Sequence, residues 1–86
     1  MFHVYVLRSR FSGGSYVGST GDLERRLGEH QANEAWATKN RGPWELVHSE
    51  AYPTRSAAMR RERFLKTGKG RDELQLFLSG ADLKAR

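Results

Sequence analysis

A stretch in the first third of the chain combines residue types that can bind and activate a phosphate ester. Tyr16 lies in a short run of strand-forming residues. Arg26 and His30 come later in the chain and lie four residues apart, the i, i+4 spacing of a helix. That spacing places the guanidinium and the imidazole on one edge of a helix, where both can face a tyrosine on a strand. The stretch therefore predicts a phosphate site. The alternative, which this stretch alone favours, is a surface helix with solvated Arg26 and His30.

A second candidate residue, Glu62, lies in a later helical segment. Ala58, Glu62 and Leu65 recur at i, i+4 and i+7, so the carboxylate shares a stripe with apolar residues. A carboxylate there is costly unless it is paired or bound to a metal. Mg²⁺ takes one or two protein carboxylates together with phosphate oxygens of a substrate, so one glutamate can suffice. The alternative is an i, i+4 ion pair with Lys66, worth roughly a few tenths of a kcal/mol.

The distribution of charge points to a polyanionic partner. The chain has 86 residues and a net charge of +5, yet residues 54–71 alone hold seven bases and one acid, a net +6. A concentrated basic surface attracts polyanions, nucleic acid above all. The alternative is a basic helix face that only keeps the protein in solution.

Composition and length exclude several classes of protein. The sequence has no cysteine, which excludes disulfides, thiolate metal sites and thiol catalysis. It has no apolar run that could span a bilayer and no signal-peptide pattern at its start. We therefore expect one soluble cytoplasmic domain over residues 1–80, with residues 81–86 as a short flexible tail.

Periodicity and turn residues predict an α+β fold. We expect strands at residues 2–8, 15–19 and 44–52, and helices at residues 21–32, 55–67 and 70–79. Alternation in residues 2–8 predicts a half-buried strand. Ser19-x-x-Asp22 is typical of a helix start, Thr54 of an N-cap and Gly68 of a C-cap. The order β-β-α-β-α-α predicts a small three-stranded antiparallel sheet flanked by about three helices.

Several of these residues form an ordered pattern that extends from Phe2 to Arg71. In order along the chain, the pattern comprises Val4-Tyr5-Val6, Tyr16-Val17-Gly18, Arg26, His30 and Glu62. It resembles the GIY-YIG nuclease domain, in particular the small stand-alone bacterial members related to the nuclease domain of the excision-repair subunit UvrC. Further stretches are similar to that stand-alone subgroup, namely Thr38-Lys39, Pro43-Trp44 and residues 61–68.

The resemblance implies a metal-dependent endonuclease that hydrolyses DNA phosphodiester bonds, possible roles being DNA repair or processing. By position, Tyr5 and Tyr16 match the tyrosines of the two family motifs, Arg26 and His30 match its helix residues, and Glu62 matches the glutamate that binds Mg²⁺ or Mn²⁺. In this hypothesis Arg26 holds a phosphate oxygen and Tyr16 orients or deprotonates water, with Tyr5 and His30 as relay.

The sequence departs from the family pattern at two positions. His3 replaces the glycine of the first motif, and no asparagine follows Glu62, which leaves Gln75 as the candidate for that supporting amide. Trp36 and Trp44 could stack on bases, although burial is the expected role. The competing classes are a nucleic-acid-binding module without catalysis and a protein–protein adaptor whose nuclease activity needs a partner or is absent.

The expected substrate is DNA, with RNA not excluded, held through phosphates and with low sequence specificity. The predicted contact residues are the bases of the 54–71 segment and two from the preceding loop. They are Lys39, Arg41, Arg55, Arg60, Arg61, Arg63, Lys66, Lys69 and Arg71.

Overall fold

A computed structural model describes residues 1–10, 13–32 and 43–79 and confirms the predicted order of elements. The strands are β1 (Phe2–Ser9), β2 (Ser15–Thr20) and β3 (Trp44–Tyr52); the helices are α1 (Leu23–Gln31), α2 (Arg55–Leu65) and α3 (Gly68–Ser79). Both strand pairs are antiparallel and the strand order is β2-β1-β3, so β1 is central. Across these ranges no helix is both long and apolar enough to cross a membrane. The predictions for Trp36, Lys39, Arg41 and the 81–86 tail lie outside the described residues.

The central strand is buried on both faces, so the expectation of a half-buried strand was wrong. Val4 and Val6 pack in one apolar cluster with residues of α2 and α3, such as Leu65. Tyr5 and Leu7 pack in a second cluster, which the leucines of α1 cover. Alternation distinguishes the two faces of a strand, but it does not say whether a distant helix covers each of them.

Two helix ends differ from the prediction. Asp22, not Ser19, is the N-cap of α1, since its carboxylate accepts a hydrogen bond from the Arg25 N–H at 3.1 Å. Gly68 does not cap α2 but begins α3, whose first turn is closed by the Gly70 N–H donating to the Thr67 hydroxyl at 3.2 Å. The predicted cap of α2 at Thr54 is confirmed by its hydrogen bond from the Ala57 N–H.

An ion-pair network joins β3 to α2 and α3 through Arg61. The guanidinium donates to both carboxylate oxygens of Glu50, at 2.8 and 2.9 Å, and to Glu73 at 2.5 Å. Tyr52 also donates to Glu50. Burial opposes ionisation of Glu50, yet the Arg61 and Tyr52 contacts hold its pKa at about 2. Arg61 is thus engaged in holding the fold together.

The start of β3 is fixed to the end of α1. Gln31 accepts a hydrogen bond from the Trp44 N–H at 3.1 Å, and its amide N–H donates to the Trp44 carbonyl. The indole is 3% exposed, which confirms the expected burial of Trp44. The helix that carries Arg26 and His30 is therefore attached to the sheet at its C-terminal end.

Candidate active site

The β1–β2 register places two tyrosines on the face that α1 covers. Tyr5 lies opposite Gly18, and Leu7 lies opposite Tyr16, so the tyrosines are diagonal neighbours with ring centroids 6.1 Å apart. A Cβ atom added at Gly18 would lie 2.6 Å from the Tyr5 hydroxyl and 2.9 Å from the Tyr16 ring. Only glycine leaves room for both rings at this position.

His30 projects from α1 into the tyrosine pair and is 1% exposed. Its Nε2 lies 3.0 Å from the Tyr5 hydroxyl. Burial raises the pKa of Tyr5 to about 12, Arg26 opposes that rise and Tyr16 adds to it. Burial, followed by the charge of Arg26, lowers the pKa of His30. Both groups are therefore neutral at neutral pH, and the contact is a hydrogen bond between two neutral groups.

Arg26 lies beside the Tyr5 hydroxyl with part of its side chain facing solvent. Glu29, and then the hydrogen bond to Tyr5, raise the pKa of Arg26, so its charge is permanent. The Glu29 carboxylate accepts from Arg26 at 2.6 Å and from Arg25 at the same distance. Because Arg26 is 33% exposed, an arriving phosphate can reach the guanidinium by competing with Glu29.

Glu62 lies on the other face of the sheet, where α2 packs. One carboxylate oxygen, Oε1, accepts from the Ser19 hydroxyl at 2.7 Å. The other, Oε2, accepts from the Lys66 ammonium at 2.7 Å, so the i, i+4 ion pair weighed as an alternative is present. Ser19 lies opposite Val4 in the register, which explains why it faces α2.

The sequence interpretation missed Ser19 as a site residue. It placed Ser19 at the end of a strand and read it as the first residue of a helix-start pattern, whereas β2 continues to Thr20. Strand alternation held the signal, because Ser19 is two residues from Val17 and so shares the face that packs under α2.

The two halves of the site meet around the edge of β2, which is an outer strand of the sheet. A cavity of about 260 Å³ lies there between β2, α2 and α3. Tyr16, from the tyrosine face, and Lys66, the partner of Glu62, both line it. Its other lining residues are Ser15, Val17, Leu65, Arg71 and Leu74.

Comparison with known sequences identifies the family of this chain. A sequence model described as the GIY-YIG catalytic domain matches residues 1–75. The chain belongs to the GIY-YIG family. The resemblance and the fold class expected from the sequence are thereby confirmed.

Relatives of this GIY-YIG domain occur in archaea, bacteria and humans. A UPF0213 protein of Haloquadratum walsbyi is 45% identical over 69 residues, which cover 79% of this chain and 78% of the relative. The human structure-specific endonuclease subunit SLX1 is 37% identical over 67 residues, 72% of this chain but 24% of SLX1. The solution NMR structure of a UPF0213 protein from Bacillus halodurans superimposes with a TM-score of 0.53 at 33% identity, covering 98% of this chain and 86% of that one.

The donor atoms around Glu62 fit a hydrated divalent cation of the Mg²⁺ type. Within residues 1–10, 13–32 and 43–79, no three His, Cys, Asp or Glu side chains are grouped as metal ligands. Zinc and calcium sites need such groups, whereas Mg²⁺ keeps several waters and accepts one carboxylate with substrate phosphate oxygens. Glu62, with a hydroxyl beside it and part of its side chain exposed, would supply that carboxylate.

The structure separates the predicted DNA-contacting bases into groups. Arg55, Glu62 and Lys66 lie along one stripe of α2, and Arg71 lines the cavity with Lys66. Arg60 lies with Arg61 in a separate groove towards β3. The remaining predicted bases within the described part of the chain are exposed. They are Arg63 and Lys69.

The structure also shows where the two residues linked to the departures from the family pattern lie. His3 is half-buried, and its Nδ1 has no hydrogen-bond partner within the described residues. Gln75 lies exposed on α3. Its role as the supporting amide stays a prediction.

We expect Gly18→Ala to disorganise the tyrosine pair. The added methyl group must push away the Tyr5 hydroxyl, which breaks the hydrogen bond to His30 and admits water. The pKa of His30 should rise towards its ordinary value, and the free energy of unfolding should fall by about 1–3 kcal/mol. An NMR titration of the imidazole and a urea melt measure the two effects.

Gly28→Ala on α1 is the matched control, because nothing lies within 4 Å of its added methyl group. It should leave the His30 titration where it is in the parent protein. An unchanged His30 titration in Gly18→Ala would show that Gly18 does not hold the site open.

Proposed function

We propose that this GIY-YIG domain is a metal-dependent endonuclease that hydrolyses DNA phosphodiester bonds with low sequence specificity, in DNA repair or processing. The observation that carries the proposal is the cavity at the β2 edge, which is lined by both Tyr16 and Lys66, the ion-pair partner of Glu62. The family match and the name of the human relative, a structure-specific endonuclease subunit, support it. A reducing cytoplasmic location fits a chain without cysteine.

The residues on the α1 face would bind the scissile phosphate and handle the proton. Arg26 would donate charge-assisted hydrogen bonds to a non-bridging oxygen in place of Glu29. Tyr16 would orient the attacking water from the cavity side. The proton of that water would pass towards Tyr5 and His30, whose Nε2 atom lies within hydrogen-bond distance of the Tyr5 hydroxyl.

Tyr5 is better suited to positioning than to base catalysis. Its pKa of about 12 keeps the phenol protonated at neutral pH. Its hydroxyl is hydrogen-bonded to both Arg26 and His30, so one group fixes both neighbours. Glu62 would hold Mg²⁺ or Mn²⁺, which neutralises charge on the phosphate when bound.

The bases near the cavity would hold DNA through its phosphates. Arg55, Lys66 and Arg71 are exposed, and the first two share the stripe of Glu62. Phosphate contacts fix the position of DNA without reading its sequence. Affinity should therefore fall steeply as salt is raised.

Cleavage assays on end-labelled single-stranded, duplex and branched DNA, with RNA counterparts, test the proposal. The protein should cut with Mg²⁺ or Mn²⁺ and stop in EDTA. Tyr16→Phe should cut slower by on the order of 10²-fold, because the water loses its orienting hydroxyl, while DNA affinity stays unchanged. Cutting that persists in EDTA, or that Tyr16→Phe leaves intact, would contradict the mechanism.

The second candidate is a nucleic-acid-binding module without catalysis. The Lys66–Glu62 ion pair favours it, because that pair gives Glu62 a role that needs no metal. If the parent protein and Tyr16→Phe bind DNA equally and neither cuts, the module is the correct assignment.

A further inference from the structure

The two oxygens of the Glu62 carboxylate have partners of different kinds. Ser19 donates to Oε1 from β2, and its short side chain on a sheet strand leaves the hydroxyl little freedom. Lys66 donates to Oε2 from the C-cap of α2, and its side chain is 51% exposed. Its ammonium can leave Oε2 by rotating a flexible stem, with no change in the backbone. One partner is therefore fixed and the other is exchangeable.

The exchangeable partner occupies the oxygen that a cation would need. A divalent cation and an ammonium compete for the same carboxylate oxygen, since both are held by its negative charge. The Ser19 hydroxyl is neutral and can stay on Oε1 while the charge on Oε2 is replaced. Ser19 thus keeps the Glu62 carboxylate oriented both when Lys66 is paired with it and when a cation replaces Lys66.

A displaced Lys66 has a destination within reach of its stem. It lines the 260 Å³ cavity together with Arg71 and Tyr16. Leu65 and Leu74 form apolar parts of the wall, and no acidic residue lines the cavity within the described residues. An anion in this cavity would meet two cations, Lys66 and Arg71, beside Tyr16.

On the basis of the proposed function, we propose that Lys66 is the counter-ion of Glu62 in the protein without ligands. When a divalent cation binds the Glu62 carboxylate, the Lys66 ammonium moves to a substrate phosphate in this cavity. Ser19 is the positioning residue that holds Glu62 for that exchange. The Lys66 ammonium therefore neutralises the Glu62 carboxylate when neither the cation nor DNA is bound. Binding of the cation releases a lysine to the DNA, so each ligand promotes binding of the other.

The proposal predicts opposite effects of one substitution on the two ligands. Lys66→Met keeps the apolar stem but removes the competing charge. Its affinity for Mn²⁺ without DNA should rise about two- to fivefold, the range of an exposed ion pair. Its KM for DNA should rise, since a phosphate contact is lost, with a smaller change in kcat. Loss of positive charge near the site would by itself move both constants in these directions, so a charge-matched variant must separate the two causes.

Titration of Mn²⁺ by electron paramagnetic resonance, with no DNA present, tests the exchange. Lys69→Met is the matched control, because it removes the same charge from the exposed start of α3. It should tighten Mn²⁺ binding less than Lys66→Met does. Ser19→Ala should weaken Mn²⁺ binding, because Glu62 loses its fixed partner, and Ser19→Thr should restore it. Thermal melting shows that each variant is folded.

Three outcomes would overturn the exchange. Mn²⁺ binding that Lys66→Met leaves unchanged or weakens excludes competition at Glu62. Equal tightening by Lys69→Met assigns the effect to net charge. If the parent protein binds no Mn²⁺, no cation is available to displace Lys66 from Glu62. Since the titration contains no DNA, a protein that shows the expected Mn²⁺ series but never cuts would instead overturn the proposed endonuclease.

Discussion

Glu62→Gln should reduce DNA cleavage by on the order of 10³-fold or more, the largest loss of activity that the structure predicts. The amide keeps an oxygen that can accept from the Ser19 hydroxyl, so the side chain keeps its position. It loses the negative charge that would hold the cation. The Lys66 ion pair is lost as well, at a cost of roughly a few tenths of a kcal/mol, because Lys66 is half exposed. The protein should remain folded and bind DNA in EDTA at least as tightly as before.

Single-turnover assays measure the loss of cleavage, and fluorescence anisotropy in EDTA measures the retained affinity for DNA. Glu24→Gln is the matched control, because it removes the same charge from the exposed first turn of α1. It should cut at nearly the parent rate. Near-normal cleavage by Glu62→Gln would rule out this carboxylate as the metal ligand and with it the proposed mechanism.

Gly70→Ala should produce the largest loss of stability. Gly70, near the start of α3, is buried against the end of α2, and an added Cβ atom would lie 2.0 Å from the Phe64 carbonyl oxygen and 2.7 Å from the Leu65 Cα. Both atoms are backbone, so no side chain can rotate aside and the helices must separate. Overpacking of this kind costs about 3 kcal/mol, which for a domain of this size lowers the melting temperature by roughly 10–25 °C.

Gly28→Ala, compared by calorimetry, separates the clash from the general effect of replacing a helical glycine. Gly28 is exposed on α1 and its added methyl group meets nothing within 4 Å. Alanine should therefore raise stability there by about 0.5–1 kcal/mol. A Gly70→Ala protein as stable as the parent would mean that the close contact of α2 and α3 is not needed.

Local patterns predicted the element order because each boundary carries its own chemistry. The Thr54 cap acts over a few residues, so the local sequence is enough to predict it. Gly68 was misassigned because a glycine after a helix is typical of a C-cap. The Thr67 hydroxyl instead closes the first turn of α3, and no pattern in α2 indicates that a second helix begins at once.

The candidate site was predictable as a set of residue types but not as a geometry. The ordered pattern named Tyr5, Arg26 and His30, and the structure places them in direct contact. It could not show that Glu62 lies on the opposite face of the sheet and meets Ser19. That contact spans 43 residues and depends on how α2 packs, which no local spacing encodes.

The sequence distances within the site have a consequence for synthesis on the ribosome. Tyr5 and Gly18 are partners in a hairpin that the Ser9–Gly14 hydrogen bond closes, and hairpins form in roughly 1–10 μs. Glu62 joins much later, once α2 has been translated and packed. An unfinished chain therefore presents the tyrosines without the carboxylate. Under the proposed function, such a chain would have no complete site for attacking nearby nucleic acid until translation has passed α2.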